Sequence, residues 1–181
     1  MSWWIIPVKL ETIEAQFRAD RRLAFQVLTA FGSKNQQAGP SRVLHEADDG
    51  RRLVEFTSET GRPGKTAVTH EWVAVDEPGE IRFSGVKGPL QHLEDRFTLE
   101  DDNGCTQFRY ESSIGVRGWW FGWLIARFYA KAIVERMMRT HVPEMKEAIE
   151  NRASRSSLFP QTGCAEQPDQ IAAGALATNS A

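Results

Sequence analysis

Apolar and polar residues alternate along most of the first 116 positions, and the rhythm then changes to that of a helix. Residues 4–18 read as one long strand. Val8, Leu10 and Thr12 share one parity, and Ile13, Ala15 and Phe17 share the other. Strand side chains alternate between faces with a period of two, so the switch near Thr12 predicts a bulge or bend. From 21 to 31, Leu23, Ala24, Val27, Leu28 and Phe31 recur at helical spacing behind Asp20, a good N-cap, and Gly32 stops the run. Residues 33–40 are polar and read as loop. Strand-like runs follow at 42–47, 51–59, 65–75, 81–86, 90–100 and 105–116. They are parted by Asp48-Asp49-Gly50, the glycines at 61 and 64, Glu77-Pro78-Gly79-Glu80, Gly88-Pro89 and Asp101-Asp102-Asn103-Gly104. Tight turns of this kind join antiparallel neighbours.

One long helical pattern then runs from about 118 to 153. Ala130, Val134, Met137, Met138, His141, Val142, Met145 and Ile149 form a single stripe. Pro143 lies inside it and lacks a backbone donor, which predicts a kink between Arg139 and Pro143. Beyond Ala153 the periodicity is lost, so the expectation is one domain over 1–153 and a disordered tail over 154–181. The whole reads as an α+β fold: a curved antiparallel sheet of about seven strands wrapped on a long C-terminal helix. Such a pairing can leave an apolar cavity between its two layers.

Composition narrows the function. The chain has 181 residues, 41% of them hydrophobic, enough for one domain with a real core. A net charge of -2 and a pI near 6.1 provide no basic field for nucleic acid. The first ten residues lack a basic leader, and Pro7 and Lys9 interrupt their apolar run, so no secretory signal is expected. Arg127 and Lys131 break the best apolar stretch, so no transmembrane span is expected either. Two cysteines far apart, Cys105 and Cys164, make neither a disulfide framework nor a metal spacing, and fit a reducing cytoplasm. His45, His92 and His141 share no ligand spacing, which argues against metal. The glycines of 115–122 lack the residues of a phosphate-binding loop, and no cofactor is expected.

Parity selects candidates. In 105–116, Thr106, Phe108, Tyr110, Ser112, Ile114 and Val116 share the face that should meet the helix. In 90–100, Leu93, Phe97 and Leu99 share a face with Asp95. A carboxylate there is costly unless hydrogen-bonded, so Asp95 is either a structural partner or a polar group that orients a ligand. His70 alternates with Val68, Trp72 and Ala74, against Thr69, Glu71, Val73 and Val75, which leaves the inward face of that strand open. If His70 faces in, it could pair with Asp95 or Tyr110 as an acid or base. Trp119, Trp120, Phe121, Trp123, Phe128 and Tyr129, with Arg117, Arg127 and Lys131, read first as core and cavity wall, then as ligand portal or membrane-surface contact.

Three stretches resemble one known family. Ile13-Glu14-Ala15 with Asp20, Ala24-Phe25 and Val27-Leu28 is similar to its first strand and helix. The run 93–99 with Gly104-Cys105-Thr106 and Phe108-Arg109-Tyr110 is similar to its penultimate hairpin. His141, Met145-Lys146 and Glu150-Asn151-Arg152 are similar to its helix end. Together, over about 8–153, they resemble the START-like or SRPBCC superfamily, the polyketide cyclase/dehydrase-like proteins. The resemblance implies a helix-grip fold, and no catalytic residues, because the superfamily shares no catalytic set. The leading expectation is a cytoplasmic binder of a hydrophobic small molecule, lipid, quinone or polyketide-like. Its wall would be Phe56, Trp72, Phe83, Asp95, Phe97, Tyr110, Phe128 and Met138. The alternatives are a cyclase or dehydratase using Asp95, His70 or Tyr110, and a protein-interaction module with a filled cavity.

Overall fold

The computed structural model describes residues 4–32, 41–59 and 66–159. The loop expected at 33–40, the turn at 61–64 and the tail beyond 159 lie outside them. The elements are β1 (Val8–Lys9), β2 (Ile13–Phe17), α1 (Arg21–Leu28), β3 (Ser41–Glu46), β4 (Arg52–Glu59), β5 (Thr66–Asp76), β6 (Glu80–Lys87), β7 (His92–Asp102) and β8 (Cys105–Gly115). Then α2 (Trp119–Ile125), a π-helical turn (Ala126–Ala130) and α3 (Lys131–Ala153) run on as one C-terminal helix.

The sheet is antiparallel throughout, in the order β1-β8-β7-β6-β5-β4-β3, with β2 also on β8. It has eight strands rather than seven because the first one is split. Val8 pairs with Ile114 but Ile13 with Tyr110, a slip of one residue in register. That slip is the bulge foreseen near Thr12. It lets Val8 and Leu10 on one side of it, and Ile13, Ala15 and Phe17 on the other, all point inward despite opposite parity.

Helix α1 starts where its cap was expected: the Asp20 carboxylate accepts the Arg22 backbone N–H at 2.7 Å. It stops at Leu28, short of Phe31. A chain of rings runs across the concave sheet, from Phe31 through Phe56, Phe83 and Phe97 to Phe108 and Phe17, with centroids 5.0 to 6.1 Å apart. Helix α3 packs on α1 and β2, and polar contacts tie it to the segment around β1 and β2. Glu135 accepts the Glu11 N–H at 2.8 Å, Arg139 meets Glu11 at 2.6 Å, and Glu150 accepts the Arg18 N–H at 3.0 Å. Each exposed pair contributes little by itself, but all lie toward β1 and β2. The far side of α3 therefore stands off β4 to β7, and the space between them is open.

Two helix expectations change. Helix α3 passes through Pro143 without interruption, and the departure from α geometry lies earlier, in the π turn. Pro143 is on the exposed face, where its missing donor leaves a carbonyl open to water. The aromatic cluster is not core either: Trp119, Trp120, Phe121, Phe128 and Tyr129 are all exposed. Adjacent residues on a helix point in different directions, and the buried positions of this stretch are taken by Gly122, Ala126 and Ala130.

Cys105 is fully buried and disulfide-bonded, where no disulfide was expected. The one other cysteine, Cys164, lies outside the described residues. Cysteine usage therefore no longer argues for a reducing compartment. Among the described residues, no helix is long and apolar enough to cross a membrane.

The packed structure continues past Ala153, for Phe159 rests against the main core. A chain ending at Arg155 is expected to melt about 2–4 °C below one ending at Phe159, the loss of roughly 1 kcal/mol of ring burial. Both shortened chains lack Cys164, so equal melting curves would show that the ring contributes nothing.

Candidate functional site

Between the sheet and the far side of α3 lies a cavity of about 1330 Å³. Ligand pockets usually measure about 300–1,000 Å³, so this one is large. Val27 of α1 and Phe31 just beyond it close one end, Phe56, Phe83 and Phe97 form the sheet side, and Met137, Met138 and His141 the helix side. Its wall is mostly apolar. The exceptions that matter are two carboxyl groups, Glu71 on β5 and Asp95 on β7.

Parity puts both there. The inward face of β5 is the odd one: Ala67, Thr69 and Glu71 line the cavity and Val73 is buried. A register shift between His70 and Glu71, where β5 meets β6, sits beside this carboxylate. Between the two acids runs β6, with Gly85 opposite Glu71 and Phe83 opposite Asp95. A Cβ on Gly85 would come within 2.9 Å of the Leu93 Cβ, so only glycine leaves β7 in place there.

The two acids are held differently. Thr69 Oγ1 donates to Glu71 Oε1 at 2.6 Å. Glu71 is 8% exposed, and burial raises its pKa from 4.5 to about 7, against the lowering effect of the Thr69 bond. The charge of Asp95 adds to the rise. Asp95 is raised from 3.8 to about 6, again chiefly by burial, with Ser112 and Tyr110 pulling the other way. Tyr110 Oη donates to Asp95 Oδ1 at 3.1 Å. Ser112 lies directly across the ladder from Asp95, yet its buried Oγ has no partner at ordinary hydrogen-bond distance and angle, so its pull is the weaker contact geometrically. Asp95 keeps some accessible surface because it faces the cavity rather than bulk water. Neither acid has a cationic partner among the described residues. Burial thus brings both carboxyls closer to neutral pH than an ordinary carboxylate, Glu71 the higher of the two. A neutral carboxyl donates a hydrogen bond to a ligand oxygen; an anion accepts one from a hydroxyl.

Of the residues expected in the wall, Phe56, Phe83, Asp95, Phe97 and Met138 line the cavity. Tyr110 sits behind Asp95, fully buried, and its phenol is pushed up by burial first and by the Asp95 charge second. Its hydroxyl reaches the cavity only through the Asp95 carboxylate that it is bonded to. Trp72 is corrected: it belongs to the even face of β5, outside the sheet, with its ring edge-on to His45 and under Arg51. His70 shares that outer face, where Nε2 lies 3.2 Å from Glu55, far from any pairing with Asp95 or Tyr110. Phe128 is 71% exposed and takes no part in the wall. Glu71 was overlooked. Like Asp95 it is a carboxylate on the inward parity, but the even face of β5, with Val68, Trp72 and Ala74, looks the more apolar in sequence. Among the described residues, no three His, Cys, Asp or Glu side chains converge as metal ligands.

No family model matches the sequence, and no curated protein does. Solved structures match in fold. The di-domain ARO/CYC BexL from the BE-7585A biosynthetic pathway has a TM-score of 0.64 at 12% identity, over 83% of this chain and 51% of that one. The present chain thus spans about half its length. The Zhui aromatase/cyclase from Streptomyces sp. R1128 gives 0.61 at 16% identity, over 84% of this chain and 95% of its own. A START superfamily protein from Mycobacterium smegmatis gives 0.60 at 16% identity, over 80% and 97%. At such identities the likeness concerns the fold, which is the START-like helix-grip.

Proposed function

From this START-like helix-grip fold, we propose that the protein binds a hydrophobic small molecule between the sheet and α3. The ligand class is lipid, quinone or polyketide-like, with one or more oxygens to meet Glu71 and Asp95. The observation that carries this reading is the cavity itself: large, apolar, and holding two carboxyl groups that have no cationic partner among the described residues. Buried carboxyls without compensation cost stability, and a ligand that satisfies them recovers that cost. An interaction module with a filled interior has no such space, so that alternative loses its premise.

The acid pair also favours one second reading, a cyclase or dehydratase. Two carboxyls that face one cavity, both raised toward neutral pH by burial, can act as acid and base. The fold neighbours include aromatase/cyclases. Native mass spectrometry of the purified full chain is the test of binding: a co-purified apolar molecule supports it, and an empty protein that takes up no apolar probe overturns it. With that ligand, Asp95→Asn is expected to change affinity by less than about tenfold, since an amide still accepts the Tyr110 hydroxyl. No turnover is expected from either protein. Wild-type conversion that falls about 10²–10⁴-fold in the variant, with binding kept, would replace the binder by the enzyme.

A further inference from the structure

The start of the C-terminal helix carries the most apolar exposed surface of the described chain. Trp119, Trp120, Phe121, Ile125, Phe128 and Tyr129 all stand in solvent. Trp4 joins them, 74% exposed, because its carbonyl accepts the Trp119 N–H at 3.2 Å. A soluble surface seldom gathers so many large rings without something to cover them. The chemistry around the rings says what kind of cover. From 112 to 134 there is no Asp or Glu, while Arg117, Arg127 and Lys131 are all present. Lys131 is matched by Glu135 at 3.2 Å, whereas Arg127 lies over the Phe128 ring, 5.8 Å from its centroid. Arg117 and Arg127 have no acidic partner among the described residues.

We infer that this aromatic face docks on an anionic lipid bilayer. Tryptophan and tyrosine suit the headgroup layer, since a flat apolar body with one polar atom fits neither oil nor water alone. The two guanidinium groups at its rim, without acidic partners among the described residues, complement lipid phosphates and resist self-pairing, because a twofold contact between copies would bring like charges together. The same face reaches the cavity: Ile125, Tyr129 and Ile133 are exposed and also line its wall. Docking there would set the cavity mouth against the bilayer. The docking itself needs no ligand inside, so it stands or falls apart from the binding proposal.

The test uses the full chain and vesicles of phosphatidylcholine, with or without phosphatidylglycerol. Flotation measures partitioning, and brominated acyl chains report tryptophan insertion by quenching. The wild type is expected to float with the anionic vesicles, less with the neutral ones, and to be quenched. Phe121→Ser with Phe128→Ser should lower partitioning at least about tenfold. Arg117→Glu with Arg127→Glu should remove the preference for anionic lipid. Both pairs are solvent-exposed, so melting curves should match the wild type. A wild type that stays unbound overturns the inference, as does binding that both double variants leave unchanged. Sedimentation as a dimer whose tryptophans are shielded, without vesicle binding, would assign the face to a second copy instead.

Discussion

At about pH 8, Glu71→Gln is expected to melt above the wild type by about 5 °C or more, and at about pH 4 the two should melt together. The sign follows from the proton. Burial raises the Glu71 carboxyl from 4.5 to about 7 in the folded chain. Below about 4.5 both folded and unfolded chains hold the proton, and ionisation costs nothing. Between 4.5 and about 7 the unfolded chain has released it while the folded one keeps it, so stability falls as pH rises. Above about 7 the penalty is complete and stays constant, on the order of 3 kcal/mol for a shift of this size. Glutamine has the same shape, keeps an oxygen for the Thr69 hydroxyl and has no charge to bury. Asp95, raised to about 6, adds a slope of the same sign in a lower window. Scanning calorimetry across the range is the measurement. A variant that melts no higher at alkaline pH would show that water reaches Glu71 well enough to solvate its charge, and the neutral donor proposed for the site would go with it. A stabilising loss of a polar group is what a binding site predicts, because residues kept for a ligand are seldom those that best stabilise the empty protein.

Gly122→Ala should have an effect of comparable size and opposite direction, a loss of about 3 kcal/mol. The helix α2 leaves β8 so tightly that a Cβ at 122 would overlap the Val116 carbonyl oxygen and crowd the Arg117 carbonyl group at 2.9 Å. Both obstacles are backbone, so no rotamer change relieves them. The Gly122 N–H is bonded to the Gly118 carbonyl at 3.2 Å, which fixes the first turn in that close approach. The expected outcome is a lower melting temperature by about 6 °C or more. An unchanged melting curve would show that α2 can lift from β8 at no cost, and the aromatic face would then have no fixed position.

Much of this architecture was legible from local chemistry. Alternation identified the inward faces of β7 and β8, and with them Asp95 beside Phe97 and Tyr110. The parity switch near Thr12 located the bulge, and Asp20 the start of α1. Where two faces of a strand were similarly apolar the pattern was silent. On β5 it favoured Trp72 and left Glu71 unnoticed, since period two says which residues share a face and not which face meets the helix.

The antiparallel sheet, the long C-terminal helix and the apolar side of most strands are written in neighbouring residues, because turns and periodicity are short-range effects. Only the tertiary structure decided that α3 is tied along β1 and β2 and stands off β4 to β7, that Glu71 and Asp95 face one cavity, and that the aromatic run lies in solvent. Those outcomes depend on which distant surfaces meet. Side-chain spacing along the chain does not encode the gap between two layers, because that gap depends on how far apart distant surfaces are held.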